Sequence, residues 1–175
     1  MAVDPAALRI LHYPDPALRT RAVAVDPRDE TVRAVARRMI ELMHEAEGVG
    51  LAAPQVGLGW RVFVTNAREA DPVDRVFINP VVTLHRGEMI SEEEGCLSLP
   101  DIHVQVRRQV DAEISAIDLD GEPFSLSADG FLSRVWQHEF DHLEGTLIID
   151  RMSPIDRLAT RKVLRALETA TQESG

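Results

Sequence analysis

The sequence has a single cysteine, Cys96, among 175 residues. One thiol cannot close an internal disulfide, so a disulfide-built extracellular scaffold is excluded. Basic residues are also short: 19 Lys and Arg stand against 29 Asp and Glu, a formal charge of −10. That balance disfavours nonspecific contact with phosphate backbones and anionic membranes, and direct DNA binding is not expected. No uninterrupted apolar run approaches the roughly 18 residues that suggest a membrane-spanning helix. The opening MAVDPAALRI lacks the basic start and apolar stretch of a secretory signal. Low-complexity segments, internal repeats and dividing linkers are absent as well. These absences predict a soluble, cytoplasmic chain whose residues 1–175 form a single domain, and a 45% hydrophobic content is enough to bury a core around a cleft.

What is present reads as α+β. After the irregular, proline-punctuated ILHYPDPALR, Asp26 and Pro27 fit an N-cap and first helical position, with Asp29 and Glu30 in the first turn. Val32, Val35, Met39, Leu42 and Ala46 then recur at helical spacing, and Gly48 suits the stop. From Trp60 to about Ala128 the pattern shifts to short β-rich runs: WRVFVT, VFINP, VVTLH, HVQVRR, AEISAID and PFSLSA, with DLDGEP as a turn. Helical spacing returns from about Asp129 through Leu132, Val135, Trp136 and Leu143 and closes at Gly145. A last helix is predicted from Ser153-Pro154 to about Thr171. Strands gathered between terminal helices argue against a repeating βαβ sheet.

The stretch QHEFDHLEG, Gln137 to Gly145, carries the clearest chemistry. His138 and His142 are four residues apart, so on a helix they share a face about 6 Å apart along the axis and can reach one ion. Glu139, beside the first histidine, can then act on water rather than on the metal, as in hydrolytic H-E-x-x-H sites. A catalytic site needs a third protein ligand. Metzincin spacing fits at Gly145 but fails at its last ligand position, which is Ile148. Glu168 and Glu173 sit near the tail, where a solvated helix face is the plainer reading, and the strongest remaining donor is Cys96. Two further stretches are ambiguous alone. GVGLAAPQVG, Gly48 to Gly57, is either a helix stop with a close-packed turn or a place where a substrate backbone approaches and Gln55 donates to an oxyanion. EEEGCLS is either a solvated acidic run before a buried cysteine or part of the site.

Together, GVGLAAPQ, EGCLS and QHEFDHLEG, in that order and at roughly 40-residue separations, closely resemble the three signature motifs of peptide deformylases. The opening ILHYPDPALR is similar to the family's usual start. The resemblance implies an α+β fold with strands wrapped around a central metal-binding helix, flanked by N-terminal and C-terminal helices. It implies Cys96, His138 and His142 as metal ligands and Glu139 as the catalytic carboxylate. Gln55 and the backbone N–H of Leu97 become the oxyanion donors. Val49 and Gly50 match substrate-binding positions, Glu94 and Gly95 belong to the second motif's framework around the substrate, and Arg134 and Val135 border the side-chain pocket. After LSLPDI stands His103, where better-known bacterial members carry an arginine that holds the residue matching Glu94. The implied metal is Fe²⁺, with Zn²⁺, Ni²⁺ or Co²⁺ as alternative occupants, and a ferrous, thiolate-ligated site should be open to oxidation. The implied substrates are nascent N-formylmethionyl peptides. Arg157, Arg161, Lys162 and Arg165 on the last helix give a surface for transient ribosome contact, beside the plainer reading of a solvated face. Two other functions stay open at this point: an H-E-x-x-H metallopeptidase and a noncatalytic metal-stabilised binding protein.

Overall fold

The computed structural model describes residues 3–84 and 87–173. Two short 3₁₀ turns, Pro5–Ala7 and Pro16–Arg19, lead into helix α1, Glu30–Glu45. The α1 cap is Asp29, whose side chain accepts from the Thr31 N–H at 2.7 Å. Asp26, the expected cap, instead closes the preceding turn by accepting from the Arg28 and Asp29 N–H groups. At the other end Glu47, not Gly48, takes the left-handed conformation at φ 55°. The Glu47 N–H bonds to His44 O and the Gly48 N–H to Met43 O, the paired closure of a Schellman stop.

Among the described residues seven strands follow: β1 Gly50–Ala52, β2 Val62–Thr65, β3 Arg75–Leu84, β4 Met89–Cys96, β5 Leu99–Gln109, β6 Ala112–Ile117 and β7 Pro123–Ala128. They form an antiparallel five-stranded sheet, order β1-β2-β3-β6-β7, and a separate β4-β5 hairpin. The segments read as VFINP and VVTLH belong to one strand, β3, interrupted by a register shift between Ile78 and Val81; His85 of the second run lies outside the described residues. Asn79 sits in that bulge at φ 51°, its amide bonded to both backbone groups of Val25. Helix α2, Gly130–Leu143, a short α3, Ile148–Arg151, and α4, Pro154–Glu173, complete the chain, so the last helix runs two residues past Thr171.

Helix α2 lies among the strands, touching β1, β2, β3, β5, β6 and β7, which is the expected central helix. Trp136 anchors it: fully buried, it meets Phe77 edge-on at 6.2 Å, and Phe77 stacks on Phe63 at 4.6 Å. Truncating such a residue to alanine costs about 3–5 kcal/mol. The apolar face of α1 packs with β1, β2 and β3 as a second core, while Ile102, Val104 and Val106 of β5 pack against α3 and α4 as a third. No helix of the described residues is long and apolar enough to cross a membrane.

Candidate active site

Three segments supply the site. The first is β1 with the 3₁₀ turn Ala53–Val56, so the segment after Gly48 is a buried strand followed by a close-packed turn. Here Gln55, 1% exposed, accepts at Oε1 from the Ala52 N–H at 2.8 Å. That bond fixes which end of the amide is which. The Nε2 end points to Ser98 Oγ at 3.2 Å and Cys96 Sγ at 3.6 Å. Gly50 is where a side chain cannot be tolerated, since a Cβ would lie 2.3 Å from Glu139 Oε1.

The second segment is the β4-β5 hairpin, with Cys96 at the end of β4. The acidic run Glu92–Glu94 lies on β4, with Glu92 and Glu93 solvated. Only Glu94 turns inward, 7% exposed, and its partners are the reason it can. Arg108 grips it with two bonds, Nε–Oε1 at 2.5 Å and Nη2–Oε2 at 2.9 Å, and Arg134 Nη1 adds a third at 2.8 Å. Burial alone would raise the Glu94 pKa, but the hydrogen bonds from Arg108 and His138 outweigh it and hold the carboxyl far below the usual carboxylate range. The expected arginine partner of Glu94 is thus present, at position 108 rather than 103. His103 is exposed, packs against Gly95 and faces Glu93 at 3.9 Å. Strict alternation along β5, with Ile102, Val104, Val106 and Arg108 all inward, placed an arginine where the pattern calls for an apolar residue. An inward arginine demands a buried anion, the one signal in the sequence by which the pair could have been found.

The third segment is α2. His138 Nδ1 meets Glu94 Oε2 at 3.0 Å, so its Nε2 is left for the centre. His142 Nε2 stands 3.4 Å from Cys96 Sγ. Donor atoms of Cys96, His138 and His142 all lie within 4.8 Å of one another. A thiolate and an imidazole bound tetrahedrally to one ion sit about 3.5 Å apart, so the residues fit a divalent metal. Burial lowers the His138 pKa, but hydrogen bonds to Cys96 and Glu94 raise it further, for a net value well above the ordinary one. His142 goes well below, first by burial and then by the charges of His138 and Arg108. Glu139 is 4% exposed with no partner at Oε2; burial pushes its carboxyl up to about 7 despite the opposing charge of His138.

A cleft of about 390 Å³ opens over these groups. Val49, Gly50, Gln55, Glu94, Gly95, Cys96, Leu97, Arg134, Val135, His138 and Glu139 all line it, while His142 lies behind Cys96. Both oxygens of Glu94 are occupied, so it holds His138 rather than meeting a ligand. Arg134 is committed too, to Glu92, Glu94 and the carbonyls of Ile90 and Val106; only its remaining surface faces the cleft. Sequence reasoning missed Ser98, Arg108, Asp141 and Phe131. Asp141 bonds Arg108 and Arg151, and half-exposed Phe131 lines the cleft one helical turn before Val135. Glu168, the rejected third ligand, is bound by the Tyr13 hydroxyl at 2.8 Å; the side chain of Glu173 lies outside the described residues.

Fold and site together define an α+β hydrolase with a three-donor metal-binding group. The family model for polypeptide deformylase matches residues 7–158. The peptide deformylase of Chromohalobacter salexigens is 40% identical over 169 residues, covering 97% of this chain and 99% of that protein. Peptide deformylase 1B, chloroplastic/mitochondrial, of Arabidopsis thaliana is 38% identical over 168 residues, covering 95% of this chain and 62% of its own length. A crystal structure of peptide deformylase from Plasmodium falciparum superposes with a TM-score of 0.88 at 38% identity, covering 94% of this chain and 98% of that one. The chain belongs to the polypeptide deformylase family, and it is accordingly a metalloenzyme that removes the N-formyl group from nascent peptides.

Proposed function

We propose that Cys96, His138 and His142 hold one metal ion, and that the cleft beside them removes formyl from the N-terminal methionine of new polypeptides. The observation that carries this is the convergence of those three donors beside a buried carboxylate oxygen with no partner, Glu139 Oε2. Neither a binding protein nor a structural metal site needs such a carboxylate. The metallopeptidase reading fails to use Cys96 and the oriented amide of Gln55. Family resemblance supports Fe²⁺ in the cell, with Zn²⁺, Ni²⁺ or Co²⁺ as alternative occupants.

When bound, the metal supplies Lewis acidity, polarising the formyl carbonyl and lowering the pKa of water. Glu139 accepts the proton of the attacking water as its oxygen bonds to the formyl carbon. The negative charge that develops on the carbonyl oxygen is met by Gln55 Nε2 and the Leu97 N–H. As the C–N bond breaks, Glu139 returns its proton to the leaving nitrogen, giving formate and a free amino terminus. Val49 and Gly50 lie where a peptide backbone would run, and Gly95, Leu97, Val135 and the stem of Arg134 form walls for the unbranched methionine side chain.

The chain acts as one catalytic domain, residues 1–175, in the cytoplasm, where formylated chains are made in bacteria; the Arabidopsis relative is named for its organelles. Direct DNA or membrane contact forms no part of the reading. Arg157, Arg161 and Arg165 recur every fourth residue on α4 and line one groove, which supports transient contact with the ribosome. The activity is tested by formate release from formyl-Met-Ala-Ser against acetyl-Met-Ala-Ser, using anaerobically prepared Fe²⁺ or Ni²⁺ protein. Acetyl adds a methyl to a carbonyl wedged between Gln55 and the Gly48–Gly50 segment, so formyl should be preferred by at least about 10²-fold. Equal hydrolysis of the two peptides would refute it.

A further inference from the structure

An oxyanion donor works only if it is aimed before the charge appears, and a glutamine side chain is long and rotatable. Its amide has one acceptor and two N–H bonds. In Gln55 the acceptor is fixed by the Ala52 N–H, and the two N–H bonds have two targets: Ser98 Oγ at 3.2 Å and the region of Cys96 Sγ at 3.6 Å. Ser98 is fully buried, so no bulk water competes for its oxygen. The backbones are tied as well. One N-terminal segment donates from Leu11 N to Gln55 O and from Tyr13 N to Ser98 O, each at 2.8 Å. The two residues are therefore held in mutual register by a third piece of chain through their backbone carbonyls.

We propose that Ser98 is a positioning residue for the deformylation: its hydroxyl oxygen accepts one Gln55 N–H and thereby directs the other at the carbonyl oxygen of the substrate. This rests on the reading of Gln55 as an oxyanion donor. Ser98 touches neither substrate nor metal and acts through Gln55, so its removal should slow the chemical step without weakening peptide binding.

A double-mutant cycle tests this with the metal-loaded enzyme. Gln55→Ala should lower kcat by about 10²- to 10³-fold. Ser98→Ala should lower kcat by about 10-fold with KM within about 2-fold, on the scale of a donor loosened rather than lost. In the Gln55→Ala background, Ser98→Ala should have almost no further effect. Metal content and the visible spectrum of the Co²⁺ form should stay unchanged, because the ligand set is intact. If Ser98→Ala turns over normally while Gln55→Ala is impaired, the positioning role falls and the Gln55 reading stands. Full activity in Gln55→Ala overturns both. Equal losses from Ser98→Ala in both backgrounds would show that the serine acts independently of Gln55 and also overturn the proposal. A measurement on the unmutated Zn²⁺ protein is independent of variant folding: the Gln55 side-chain amide protons should give two separate NMR signals, one with a nuclear Overhauser contact to Ser98 Hβ and slow hydrogen exchange. A rapidly exchanging, averaged amide would overturn the inference.

Discussion

Replacing Gly50 with alanine adds one methyl group at the most crowded point of the site. Its Cβ would lie 2.3 Å from Glu139 Oε1, 2.6 Å from Cδ and 2.8 Å from Cγ. Ordinary contacts between carbon atoms are about 3.5–4.0 Å, so one side must yield by about 1 Å. Gly50 does not have a positive φ, so the penalty is steric and not conformational. Glu139, 4% exposed, can yield only into the cleft that it lines, away from its place in the site, while moving β1 would carry the neighbouring Gln55 turn with it. Either response misplaces a reacting group. A displacement near 1 Å costs about 10²-fold, or about 2.7 kcal/mol at the transition state, and overpacking should cost about 1–3 kcal/mol of stability. The assay is kcat for formate release, with metal content and melting temperature measured on the same sample. Gly48→Ala is the control, because its Cβ is crowded only by the flexible end of Leu97, Cδ1 at 2.8 Å, and meets Gly50 O at an ordinary 3.5 Å, so it should lose far less. A Gly50→Ala enzyme with normal kcat and melting temperature would refute the packing argument.

Cys96→Ala, His138→Ala and His142→Ala should each lose stoichiometric metal, since each removes one of three donors; a fully metallated Cys96→Ala with an unchanged spectrum would remove the thiolate from the site. Glu139→Gln should keep metal and lose on the order of 10²-fold or more in rate. In the metal-free chain the same variant reports a pH linkage. The Glu139 pKa is raised from 4.5 to about 7, so the native state holds a proton that the unfolded state releases, and stability should fall by about 3 kcal/mol as pH rises from 4.5 through 7. Denaturant titrations should show that Glu139→Gln abolishes this part of the pH dependence. Arg108→Met leaves Glu94 without its two-bond partner, so calorimetry should show a loss of about 3–5 kcal/mol, with metal affinity down about 10- to 100-fold as His138 loses its fixed orientation.

The parts of this protein legible in its sequence are those with local periodicity or a compact motif. Helix α2 was readable from Leu132, Val135, Trp136 and Leu143, and the position of Gly145 at φ 72° follows from the same stop signal. Strands β2, β5, β6 and β7 announced themselves through β-branched or alternating residues. Strand β4 did not. MISEEEGC has no apolar face, and it is strand because Arg134 and Arg108, 40 and 14 residues away from Glu94, supply the charge that its inward carboxylate requires. Helix α1 was found but its ends were misplaced, since Asp26 and Asp29 are equally good caps and only the backbone turn between them decides. The three residues that could hold a metal were legible because two of them, His138 and His142, sit on one helical turn. Their supports were not, because they are assembled from distant strands.

The support for His138 can be followed outward as charges of alternating sign. Arg151, 42% exposed at its side chain, pairs with Asp141; Asp141 pairs with Arg108; Arg108 grips Glu94; and Glu94 accepts from His138 Nδ1. Buried charges are individually expensive, and losing one partner leaves the next uncompensated. Each member here is bounded by opposite charge, so the row persists at 3% exposure for Arg108 and 6% for the side chain of Glu94. An apolar replacement could fill the same volume, but it could not choose between the two nitrogens of an imidazole. Glu94 makes that choice by taking Nδ1, which leaves Nε2 free for the proposed metal. The polar row beneath the site is thus retained for direction: it turns the first histidine of the motif into a donor that faces Cys96 and His142.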